Sequence, residues 1–184
     1  MQKTNLPDEL NRCIDFHGHL CPGLAIGYAA ARLGMRELNV ERAIDEELLA
    51  IVENDTCAVD AVQTLTGCTF GKGNLFFHDY GKMGFTFANR ADNSSVRLYF
   101  RTNPPAWVED LPEKERGQGY IDFLLSHNPA ELFDVKKDTL SSLPSPARIR
   151  ESIPCEICGE KVIPTRLYNS DGIKVCSPCR KPLF

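Results

Sequence analysis

Apolar positions at the front of the chain recur at helical spacing. Leu6, Leu10, Cys13 and Ile14 fall on one face of a segment 6–16 with Pro7 in its first turn, which predicts a short helix with Cys13 in its core stripe. Pro22 suits the first position of a second helix, 22–38, rich in small residues (Ala25, Gly27, Ala29, Ala30, Ala31, Gly34), so another element is expected to approach it closely. Leu48 to Glu53 has the length and apolarity of a buried strand. A third helix begins near Cys57, capped by Asp55 or Thr56, and stops at Gly67. The period then changes. Residues 74–80, 83–89 and 96–101 are rich in aromatic and branched side chains, with turns at Gly81 and Asp92-Asn93, and predict an antiparallel meander. A helix over 112–126 is stopped by Asn128-Pro129, and 130–137 gives a turn and a last short strand. Ser141-Ser142-Leu143-Pro144-Ser145-Pro146 has linker composition. It divides the chain into a core domain, 1–146, and a tail domain, 147–184.

The 184 residues are 42% hydrophobic and 25% charged, the balance of a globular protein able to bury a core without staples. No apolar run approaches the roughly 20 residues of a membrane span. Residues 1–8 lack an apolar signal core, so a cytoplasmic location is expected. Eight cysteines without an export signal point to metal or redox chemistry before disulfides. The tail holds seven Lys/Arg against four Asp/Glu and the core fourteen against twenty-one. That distribution supports nucleic-acid binding only weakly, and four thiolates on a zinc ion would reduce the tail's excess further.

Candidate chemistry begins at Asp15-Phe16-His17-Gly18-His19-Leu20-Cys21-Pro22-Gly23. In extended backbone His17, His19 and Cys21 face one way, about 6.6 Å apart. Imidazole and thiolate are the donors that zinc and related metals prefer. Pro22 keeps Cys21 extended at a helix N-terminus, where the dipole favours thiolate. Cys57 occupies the same kind of place at the third helix. Two helix starts carrying cysteines can meet at one metal, so His17, His19, Cys21 and Cys57 are the candidate core ligands, with zinc the expected ion. Cys68 would lie about 16 Å from Cys57 along the helix axis. It either reaches the site from another chain or is a buried thiol. Gly71-Lys72-Gly73 lacks the spacing of a phosphate loop, though Lys72 remains a candidate for an anionic ligand. His78, alternating with Phe76 and Tyr80, is as well explained by sheet surface as by chemistry.

The tail carries Cys155-x2-Cys158 and Cys176-x2-Cys179, two knuckles seventeen residues apart. Each knuckle turns two thiolates toward one ion, and two complete a tetrahedral zinc site. Gly159 and Asp171-Gly172 supply turns, and 162–168 and 173–175 supply strands of a ribbon. So short a segment cannot bury enough apolar area alone, so structural zinc is expected to hold it.

Phe16-His17-Gly18-His19-x-Cys21-Pro22-Gly23, followed by Cys57-Ala58-Val59-Asp60-Ala61-Val62-Gln63 and Thr66-Gly67-Cys68-Thr69-x-Gly71-Lys72-Gly73-Asn74-Leu75, resembles the formylmethanofuran dehydrogenase E-subunit family over residues 10–140. The ribbon looks like a tail that some members carry. The resemblance implies an α+β fold, here an antiparallel-sheet core with packed helices plus a small C-terminal zinc ribbon. It also implies a link to molybdenum or tungsten enzymes of one-carbon metabolism, and it strengthens His17, His19, Cys21, Cys57 and Cys68 as a metal or active site. It does not imply catalysis by this chain. The leading expectation is a metal-binding accessory or metal-handling protein with Cys68 and Lys72 lining its cleft, partnered with such an enzyme. The alternative is a regulator or adaptor whose ribbon binds RNA, DNA or protein. The small-residue helix and aromatic strands predict a homodimer.

Overall fold

The computed structural model describes residues 6–147, 150–170 and 172–180; Asp171 of the expected tail turn and residues 1–5 lie outside them. The chain divides into two compact units, Met1–Pro146 and Ala147–Phe184. The first unit opens with α1 (Asp8–His17) and α2 (Pro22–Leu38). α1 ends because Gly18 takes φ +99° and returns its N–H to the Ile14 carbonyl at 2.7 Å. α2 spans the expected residues, with Pro22 in its first turn and Asn39 closing it in the left-handed region. β1 (Leu48–Val52), α3 (Ala58–Thr66) and β2 (Leu75–Phe77) follow, then β3 (Gly84–Asn89), β4 (Ser94–Phe100), the short α4 (Ala106–Glu109), α5 (Glu113–Ser126), α6 (Pro129–Leu132) and β5 (Phe133–Thr139).

The five strands form one sheet in the order β2-β1-β3-β4-β5. β1/β3, β3/β4 and β4/β5 are antiparallel. The expected meander places β2 beside β3, but β1 lies between them and pairs with β2 in parallel, Ala50 opposite Leu75. The apolar run of β1 is buried on both faces, so it takes an interior position, and α3 supplies the crossover that a parallel neighbour requires. Cross-strand rows Ala50-Phe87-Val96 and Val52-Phe85-Leu98 build the main core with Ala29, Ala30 and Leu33 of α2. A second apolar cluster, including Leu10, Cys13, Leu24, Tyr28, Ala61 and Leu65, joins α1, α2 and α3.

The close approach anticipated from the small residues of α2 occurs at two places. A Cβ on Gly27 would fall 2.1 Å from the Ala58 carbonyl oxygen, and one on Gly34 would fall 2.2 Å from the Phe87 ring. Gly27 therefore sets the spacing between α2 and the start of α3.

Just past β1, the buried Glu53 receives Nε and Nη2 of Arg97 at 2.7 and 2.8 Å. The guanidinium holds the Glu53 carboxyl below its usual range despite burial. That stability is present above the unfolded carboxyl value of about 4.3 and is lost as pH falls through the lower folded value. Arg97→Ala is expected to cost about 1–2 kcal/mol at neutral pH, less than a fully buried pair because the arginine side chain is 38% exposed. Urea midpoints should show the gap to wild type narrowing as pH drops below about 4.

The second unit is built from two small antiparallel ladders, β6 (Ile153–Pro154) with β7 (Lys161–Val162) and β8 (Leu167–Ser170) with β9 (Ile173–Cys176), followed by α7 (Ser177–Arg180). Its buried apolar core comprises Cys155, Val175 and Cys176, flanked by Val162, Leu167 and Cys179.

Candidate metal centres

Three helix ends converge in the first unit. His17 is the last residue of α1, Cys21 the N-cap of α2 and Cys57 the residue before α3. Pro22 acts as the sequence predicts: Cys21 is extended at φ −139°, ψ 164°, and its Sγ accepts the Leu24 N–H at 3.4 Å. At the third helix Thr56 does the capping, its hydroxyl accepting the Ala58 N–H and donating to Asn54 Oδ1. Donor atoms of His17, Cys21 and Cys57 all lie within 4.8 Å of one another.

His17 is the best-oriented member. Its Nδ1 donates to Asp60 Oδ2 at 2.7 Å, which turns the lone pair of Nε2 toward Cys21 Sγ, 3.8 Å away. Tetrahedral zinc at ordinary bond lengths spaces a nitrogen and a sulfur ligand about 3.6 Å apart, so this edge fits the ion. A carboxylate behind a ligating imidazole fixes its tautomer and raises its basicity. Ligand-type residue patterns in the sequence do not single out Asp60. The signal it offers is its position three residues after Cys57, on the same face of a helix beginning there. Burial pushes the Cys57 thiol up, and the adjacent Cys21 adds to the effect.

The strict alternation of His17, His19 and Cys21 along extended backbone does not occur, because α1 runs through His17 and turns at Gly18. His19 is exposed, with its ring 4.7 Å from that of His17, and it stands beside the three-donor group rather than within it. Cys68 and Lys72 are not brought to this site. Cys68 lies beyond the far end of α3, fully buried, and its thiol donates to the Leu48 carbonyl at 3.3 Å. Burial raises it to about 11, the condition of an unreactive core thiol. Lys72 Nζ donates to the carbonyls of Ala43, Ile44 and Asp45 at 3.0–3.3 Å, tying down the loop before β1. Cys13 is fully buried, as its apolar stripe predicts, and is likewise raised to about 11. His78 is exposed at the sheet edge, 5.4 Å from the Tyr80 ring.

In the second unit Cys155, Cys158, Cys176 and Cys179 all present sulfurs within 4.8 Å of one another. Cys158 and Cys176 are 3.8 Å apart, the edge length of a zinc–thiolate tetrahedron with ~2.3 Å bonds. The Cys176 N–H donates to Cys155 Sγ at 3.3 Å, and Gly159, at φ +75°, turns the first knuckle. Backbone donors from residues 158 and 176 lower Cys155 to about 6, whereas the neighbouring thiols raise Cys179 to about 12. Four such sulfurs cannot all ionise together without a cation among them, and the cluster fits a zinc ribbon.

Among the described residues no helix is long and apolar enough to cross a membrane. A protein from Archaeoglobus fulgidus named as a probable S-adenosyl-L-methionine-binding protein is 42% identical over 101 residues, 53% of this chain and 28% of that protein. The chain thus spans under a third of that relative's length. The crystal structure of a tungsten formylmethanofuran dehydrogenase FmdE-like protein from Syntrophus aciditrophicus superposes with a TM-score of 0.68 at 24% identity, over 95% of this chain and 92% of that one. At that identity the likeness is one of fold. Residues 16–134, well over half the sequence and the stretch that carries all three converging helix ends, match the family described as FmdE, molybdenum formylmethanofuran dehydrogenase operon, and to that family the chain belongs.

Proposed function

We propose that the core unit binds one transition metal, zinc, through His17, Cys21 and Cys57, with Asp60 orienting His17 and His19 at the rim. The tail binds a second, structural zinc. The chain then serves as a metal-handling accessory to a molybdenum- or tungsten-dependent enzyme of one-carbon metabolism, in keeping with the operon that names its family. The observation that supports this most is the His17 imidazole, tied to Asp60 behind and aimed at Cys21 in front. Three protein donors leave a coordination position for an outside ligand, such as water or a soft oxo or thio anion. The surplus of acidic residues in 1–146 argues against a broad nucleic-acid contact.

Metal analysis of the intact protein tests the reading. Wild type should carry two equivalents, and Cys21→Ser with Cys57→Ser should carry one. Asp60→Asn should weaken retention of the core metal about 10- to 100-fold against a competing chelator, with the ribbon ion unaffected. Two equivalents surviving in the double variant would refute the core site.

A further inference from the structure

α1, α3 and the loop before β1 border an open groove of about 290 Å³ lined by Arg12, Phe16, Arg42, Gln63, Thr64 and Thr69. Its polar groups are one-sided. Arg12 makes no hydrogen bond or ion pair among the described residues. Arg42 donates Nε to the Thr64 carbonyl at 3.1 Å, which fixes the guanidinium and leaves its two terminal nitrogens free. Gln63 Oε1 accepts the Phe70 N–H, so its amide nitrogen remains a donor. Thr69 Oγ1 accepts the Lys72 N–H and keeps its proton to donate. The Thr64 hydroxyl is spent on the Asp60 carbonyl.

Several donors are therefore open, and among the described residues no carboxylate lines the groove. Arg12 and Arg42 also border a neighbouring depression with two carboxylates, Glu9, which faces Arg32 there at 3.5 Å, and Glu41, which makes no ion pair among the described residues. Arg12 and Arg42 line the same groove, and the fork geometry of a guanidinium matches a phosphate. The loop carrying Arg42 is held in place, since the Ala43 N–H donates to the Thr66 carbonyl at 2.8 Å. One turn along α1 from Arg12, Phe16 is 61% exposed and supplies an apolar wall on which a flat ring can stack. The volume suits a single small ligand rather than a macromolecule.

We propose that this groove binds a small phosphate ester carrying a flat ring, such as a mononucleotide, with Arg12 and Arg42 on the phosphate and Phe16 against the ring. The site uses none of the metal donors, so it stands or falls separately from the core zinc.

Calorimetric titration of the full-length protein with adenosine 5′-monophosphate tests it, with inorganic phosphate and adenosine as separate arms. The nucleotide should bind saturably and more tightly than either fragment. Arg12→Gln and Arg42→Lys should each weaken it about 10-fold, and Phe16→Ala should weaken the nucleotide about 10-fold while leaving phosphate unchanged. Metal content should be unaltered in all three variants. Absence of saturable nucleotide binding, or binding unchanged in both arginine variants, would overturn the proposal. Equal affinity for phosphate and nucleotide would overturn the ring contact.

Discussion

Removing the zinc proposed for the tail should unfold the second unit while the first unit stays folded. The apolar core of the second unit is little more than Val175 with Val162 and Leu167 beside it. Its ladders pair two residues with two and four with four. Burial on that scale cannot offset the conformational entropy of ordering some thirty residues, which is about 1–2 kcal/mol each for the backbone alone. Structural zinc in such modules contributes about 10–16 kcal/mol of apparent binding energy, and that energy is folding energy. With a strong chelator, or in Cys176→Ser, backbone amide resonances of β8 and β9 should collapse to unfolded shifts. Protease should then cut between residues 147 and 180. The main sheet resonances, such as those of Phe85 and Phe87, should remain in place. A ribbon whose amides stay dispersed after complete metal removal would contradict this.

The helix ends are legible in the sequence and the contacts between elements much less so. Pro22, Gly67 and the linker prolines impose backbone restrictions that act within one or two residues, so α2 and α3 fall where local chemistry places them. The four tail cysteines are equally plain, because a knuckle is a local turn. The partner of β2 cannot be read in the same way. Strand order depends on which faces are buried, and an apolar run as short as β1 carries no record of its neighbours. The core site shows both sides of this. Cys21 and Cys57 are recognisable as helix-start thiols, but His17 sits on a helix because Gly18, one residue later, adopts the left-handed turn. Residue spacing alone does not separate that ending from an extended run. Lys72 reads as an anion-binding residue because its three carbonyl acceptors lie 27 to 29 residues away in sequence.

Gly27→Ala should destabilise the first unit by about 3 kcal/mol or more and also empty the proposed core metal site. The added methyl would lie 2.1 Å from the Ala58 oxygen and 2.6 Å from its Cα, and both are backbone atoms that no rotamer change can move aside. Relief requires α3 to move away from α2 by more than an ångström, which opens the packed cluster of Leu24, Ala61 and Leu65. Cys57 immediately precedes Ala58 and must travel with it, away from Cys21 on α2. Gly23 marks the same seam, since a Cβ there would meet Cys57 Cβ at 3.1 Å. Gly117, in α5, has nothing within 4 Å of its missing Cβ. Gly117→Ala should therefore stabilise the protein by about 0.5–1 kcal/mol through helix propensity, with both metals retained. Denaturant midpoints and metal counts on the two variants distinguish a specific steric seam from a general intolerance of alanine. If Gly27→Ala kept wild-type stability, α2 and α3 would have to be farther apart than this packing places them, and Cys21 and Cys57 could not share an ion.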